Sequence, residues 1–145
     1  MVYFAVRHNG GLMKAPILLA FLSLATAQAA EPTGTLTLAC EGTVADNIKP
    51  DAKPKPISMG IVLNFAARTV QGFPHIGDAE ITKVDDSRIV FVASYDDNNV
   101  EWGFAGTVDR VTGDLKAHWM LMNMETGNFR NVTYSLKCKP TQRMI

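Results

Sequence analysis

The sequence predicts an all-β fold: a single antiparallel domain of about eight strands, forming either an up-and-down barrel or a two-sheet sandwich. Apolar side chains recur at every second position in run after run, the period of a half-buried strand. Clusters of Asn, Asp and Gly separate the runs and supply turns. The two cysteines, Cys40 and Cys138, fall on the apolar phases of the first and last runs.

Residues 1–29 read as a leader outside that fold. From Met13 the chain runs Met13-Lys14-Ala15-Pro16, then an apolar stretch centred on Leu18-Leu19-Ala20-Phe21-Leu22, then Ala27-Gln28-Ala29. A basic start, an apolar centre of about ten residues and a small-residue exit are the pattern of a secretory signal peptide. The centre is shorter than the roughly 20 residues that a membrane span needs. Cleavage is expected after Ala29, which leaves residues 30–145 as the β domain, and Met13 is a natural start for the leader. No cysteine stands at the cleavage site, so no lipid anchor is expected. The expected destination is the periplasm or the exterior, with no transmembrane span once the leader is removed.

In the domain, Leu36, Leu38 and Cys40 alternate with Thr35, Thr37 and Ala39. Ile57, Met59, Ile61, Leu63 and Phe65 form the apolar face of a longer run. Weaker strands are expected over 69–73 and 79–84. Ile89, Phe91 and Ala93 share a face, as do Val100, Trp102, Phe104, Gly106 and Val108. Leu115, Ala117, Trp119 and Leu121 follow, and Val132, Tyr134, Leu136 and Cys138 close the series. Asp96-Asp97-Asn98-Asn99 suits a tight hairpin, because Asn and Asp tolerate left-handed backbone angles. Thr112-Gly113 and Thr126-Gly127 suit turns that end on a positive-φ glycine, and Asp85-Asp86-Ser87 is a further turn. Between residues 43 and 56 stand Lys49-Pro50, Lys53-Pro54 and Lys55-Pro56. Three closely spaced prolines argue against a central strand or helix and predict an extended, exposed connector. Its functional version is a basic lip that meets an acidic partner.

Composition limits the partners. The 14 basic and 14 acidic side chains balance; Arg7 and Lys14 are basic residues of the leader, which has no acidic one, so the domain carries a net charge of −2. That balance gives no reason to expect nucleic acid. In an oxidising compartment two cysteines favour a disulfide, which would close a long loop and make the outermost strands neighbours or place them face to face across a core. A metal centre is not expected: His75 and His118 are the only histidines of the domain and no Cys-x-x-Cys or His-x-x-x-His spacing occurs. No cofactor is implied.

No catalytic constellation stands out. His118 shares a face with Lys116 and Met120, opposite Trp119, and no nucleophile can be assigned to it. His75 lies in the loop Gly72-Phe73-Pro74-His75-Ile76-Gly77, a turn that could also hold a ligand. Asp85 and Asp86 are adjacent and would point opposite ways on a strand, which makes them a poor acid–base pair. The Asp96–Asn99 turn lacks the alternating ligands of a calcium loop. Trp102, Phe104 and Trp119 are the candidate ligand-binding residues, since an eight-stranded barrel either fills with side chains or holds one small ligand.

The segments Lys55-Pro56-Ile57-Ser58-Met59-Gly60-Ile61-Val62-Leu63-Asn64-Phe65, Arg68-Thr69-Val70-Gln71-Gly72-Phe73, Asp109-Arg110-Val111-Thr112-Gly113 and Tyr134-Ser135-Leu136-Lys137-Cys138 resemble a group of small exported proteins of rhizobia and related bacteria. The resemblance covers most of the domain. It implies export and compact folding and carries over no activity and no site residues. The general shape also resembles the lipocalin-like barrels of periplasmic protease inhibitors, a likeness of architecture alone. The expected function is a non-catalytic binding module for a small apolar ligand or an envelope protein. The alternatives are a structural or stress-related envelope protein and, behind it, a periplasmic hydrolase or protease inhibitor.

Overall fold

Eight antiparallel strands follow one another around a closed barrel, each hydrogen-bonded to the next and the eighth to the first. The computed structural model describes residues 31–48 and 51–141, so the expected leader, residues 1–29, lies outside the described residues. The strands are β1 (Thr35–Asp46), β2 (Lys55–Asn64), β3 (Thr69–Gln71), β4 (Ala79–Val84), β5 (Arg88–Asp97), β6 (Val100–Asp109), β7 (Asp114–Asn123) and β8 (Phe129–Thr141). Of the two architectures expected, the barrel is the one formed. The deciding contact is the β1–β8 ladder, which runs from Thr37 opposite Thr141 to Asp46 opposite Val132 and joins the last strand to the first. Cys40 and Cys138 are direct partners in that ladder and form a disulfide. Among the described residues no helix is long and apolar enough to cross a membrane.

Because the strands alternate in direction, the connectors fall into two groups. Residues 47–48, 51–54, 72–78, 98–99 and 124–128 surround one end, called the mouth below; residues 65–68, 85–87 and 110–113 surround the other, and the Lys49-Pro50 step of the expected connector lies outside the described residues. Turn chemistry follows the sequence: Asn98 takes a φ of 49°, Gly113 of 77° and Gly127 of 66°.

The alternating apolar phases meet inside. Ile61, Leu63, Ile81, Ile89, Phe91 and Leu115 are almost completely shielded from water. Phe91 fits because β6 presents Gly106 across from it; a Cβ at Gly106 would stand 2.2 Å from the Phe91 ring. The middle of the barrel and the half away from the mouth thus contain most of the packed core.

Two expectations are corrected. The strand expected over 69–73 stops at Gln71. On a continued strand Phe73 would be out of phase with the inward Val70 and would face water. Instead the chain turns inward at Gly72, whose φ is 120°, and Phe73 enters the lumen. The turn needs glycine, since a Cβ there would lie 2.2 Å from the Gly60 carbonyl oxygen. The Phe73 ring sits 4.7 Å from Phe104, 5.4 Å from Tyr134 and 5.8 Å from Phe91, centroid to centroid. Burying such a ring contributes about 1.5–3 kcal/mol, against a net of about 0.5–1.5 kcal/mol for each ladder hydrogen bond given up. The second correction concerns the proline-rich connector. Both its ends belong to strands: β1 continues to Asp46, and Pro56 lies in β2 opposite Thr43. Proline is tolerated there because β3 pairs only with Val62, Leu63 and Asn64, which leaves the mouth half of β2 with one neighbour.

Candidate ligand-binding cup

Phe73 divides the lumen. On its far side from the mouth is core; on the mouth side the barrel widens into a cavity of about 480 Å³. Its apolar wall comes from Val44 on β1, Ile57 on β2, Trp119 on β7, and Val132 and Tyr134 on β8. Pro74 and His75, carried in by the same loop as Phe73, also line it. Ile48, Ala52 and Lys53 from the β1–β2 connector border it, with Lys55 at the start of β2. A second hollow at the opposite end, between residues such as Leu36, Phe65 and Val108, measures about 180 Å³. Ligand pockets usually occupy about 300–1,000 Å³, so the mouth cavity is the candidate site.

The polar groups of the cup are organised around one ion pair. Asp46 ends β1 and Arg130 begins the inward phase of β8, so the barrel seam brings them together. Arg130 Nε donates to Asp46 Oδ2 at 3.1 Å and Nη2 donates to the same oxygen at 2.6 Å. The guanidinium also lies 5.4 Å from the centre of the Trp119 ring, within cation–π range. The hydrogen bond from Arg130 holds the Asp46 carboxyl below its ordinary range, and the same bond raises Arg130 further. Burial pushes the Tyr134 hydroxyl above its ordinary value. The Trp119 Nε1 is shielded from water and finds no hydrogen-bond acceptor among the described residues.

The three candidate residues of the sequence occupy different places. Trp119 lines the cup. Phe104 is buried beneath it against Phe73. Trp102 stacks on Tyr95 with centroids 6.1 Å apart and does not line the cavity. His75 joins Trp119 in the cup, whereas His118 stands on the opposite phase of β7, on the outer face. Neither histidine forms an ion pair with a carboxylate among the described residues, and no group of three or more His, Cys, Asp or Glu there could hold a metal. Asp46, Arg130 and Tyr134 were not singled out by the sequence. Their signal is phase: extending the inward positions past Val44 reaches Asp46, and stepping back from Val132 reaches Arg130. Opposite charges on the apolar phases of the first and last strands mark a rim.

No protein-family model, curated protein or solved structure matches this chain.

Proposed function

We propose that the protein is an exported, periplasmic or secreted, non-catalytic binding module that takes a small, largely apolar ligand into the cup at the barrel mouth. The observation that carries this reading is the 480 Å³ cavity itself: apolar walls, a few convergent polar groups and an opening among the mouth loops. Side chains fill the middle of the barrel, and the loop bearing Phe73 closes the cup from below. Export is supported by the leader-like residues 1–29 and by the buried Cys40–Cys138 disulfide, since such bonds persist in oxidising compartments.

The test is a titration of the oxidised domain with decanol, followed by Trp119 fluorescence in a Trp102→Phe background. Saturable binding to one site in the micromolar range is expected. Ala52→Trp, which places a large ring on the exposed lip without touching the core, is expected to abolish it. Absence of saturation at high micromolar concentration, or undiminished binding by the Ala52→Trp protein, overturns the proposal.

A further inference from the structure

We infer that Arg130 is an anion receptor at the rim of the cup, and that the preferred ligand is a monoanionic amphiphile with an apolar body and a carboxylate or similar oxyanion head. The inference rests on the reading of the cup as a ligand site and adds the chemical class that it selects.

Arg130 is fixed on two sides. Asp46 accepts hydrogen bonds from Nε and Nη2, and the Trp119 ring lies 5.4 Å from the guanidinium carbon. These contacts set the plane of the guanidinium and use one of its edges. Nη1 makes no hydrogen bond among the described residues, and the side chain retains 42% of its exposure. The edge formed by Nη1 and Nη2 is therefore a fork held in place and open. Two parallel N–H donors of this kind match a carboxylate, and little further side-chain entropy is lost when they bind one.

The charge around the fork has one sign in excess. Lys53, Lys55 and Arg130 line the cavity, against the single carboxylate of Asp46. Asp46 is already paired, so an entering anion meets two lysines and the free edge of the arginine. An entering cation would meet net repulsion, and a neutral hydroxyl head could accept one hydrogen bond from the guanidinium but would form neither an ion pair nor the two-oxygen match. Deeper in the cup, Val44, Ile57 and Val132 offer apolar wall to the body of the ligand, beside Tyr134. The head thus stays at the rim while the body points towards Pro74 and Phe73. Asp46 acts as a positioning residue: it orients Arg130, and its charge works against the ligand head.

Titrations of decanoate and decanol against the wild-type, Arg130→Gln, Arg130→Lys and Asp46→Asn proteins test this, with circular dichroism checking that each variant is folded. The wild type is expected to prefer decanoate. Arg130→Gln is expected to weaken decanoate about tenfold relative to decanol, or about 1.4 kcal/mol. Arg130→Lys keeps the charge but lacks the fork and is expected to restore only part of the loss. Asp46→Asn keeps an acceptor for Arg130 and removes a negative charge, so decanoate binding is expected to strengthen roughly threefold relative to decanol. Equal affinity for decanol and decanoate, or an Arg130→Gln protein with an unchanged ratio between them, overturns the inference and leaves the cup standing. Binding of neither compound overturns the cup and the inference with it.

Discussion

Cys40 on β1 faces Cys138 on β8 as a direct register partner, with Cα atoms 4.0 Å apart, so the disulfide crosses the seam that closes the barrel. Both sulfurs belong to the buried core. The bond ties residues separated by 98 positions. It therefore closes nearly the whole domain into one loop in the unfolded chain, and it does so at the one ladder that sequence-adjacent hairpins cannot form.

The Cys40→Ala, Cys138→Ala double variant is expected to lose roughly 3–5 kcal/mol, the loop-entropy value for a closed loop of about 100 residues. Urea unfolding of the variant beside the oxidised wild type measures it. A loss below 1 kcal/mol, on the order of a single exposed hydrogen bond, would show that the seam holds without the bond.

Phe73→Ala removes the ring that separates core from cup. The expected cost is about 3–5 kcal/mol, the range for truncating a buried phenylalanine. The cup should also deepen, so longer-chain alcohols should gain affinity over decanol. Gly72→Ala is expected to disturb the same loop by another route, because its Cβ would collide with backbone at Gly60 and its φ is left-handed. Thermal unfolding and chain-length selectivity together distinguish the two.

Gly106→Ala places a methyl group against the fully buried Phe91 ring. Overpacking of this kind costs about 1–3 kcal/mol. Phe91→Leu in the same chain should recover part of it by vacating the space, a coupling that a double-mutant cycle reads directly.

Acid should loosen the end of the barrel away from the mouth together with the rim pair. Asp85 accepts hydrogen bonds from the Ser87 hydroxyl and from the backbone N–H groups of Ser87 and Arg88, and these hold its carboxyl far below the ordinary value. Asp109 is lowered chiefly by the N–H groups of Thr112 and Val111, Asp114 by the Thr112 hydroxyl and Lys137, and Asp46 by Arg130. A lowered carboxylate contributes stability that is complete above its ordinary pKa, 3.8, and is lost as pH falls through the lower folded value. Tm is therefore expected to decline below about pH 4, and Asp85→Asn should flatten that decline. Tyr134 acts at the other extreme: its raised value contributes fully below pH 10.0 and is lost as pH rises beyond it. A Tm profile by circular dichroism across both limits checks the two arms.

The strands were legible because their information is local. Period-two alternation over residues such as Val100, Trp102, Phe104 and Gly106 needs no distant partner to be read, and the turns at Asn98, Gly113 and Gly127 announce themselves by residue type. The cup was legible only in fragments. Trp119, His75 and the lysines near the prolines each drew notice separately, but their convergence depends on β2, β7, β8 and two loops meeting at one end of a closed cylinder.

Short-range phase and composition were enough to read about eight strands, the placement of most strands and turns, and the pairing of the only two cysteines. Whether the sheet closed, where Phe73 went and which charged side chains met depended on contacts between distant parts of the chain. Closure and plugging follow from competition for buried volume among residues far apart in the chain. The Asp46–Arg130 contact follows from the register of the first strand on the last, a relation that no window of neighbouring residues contains.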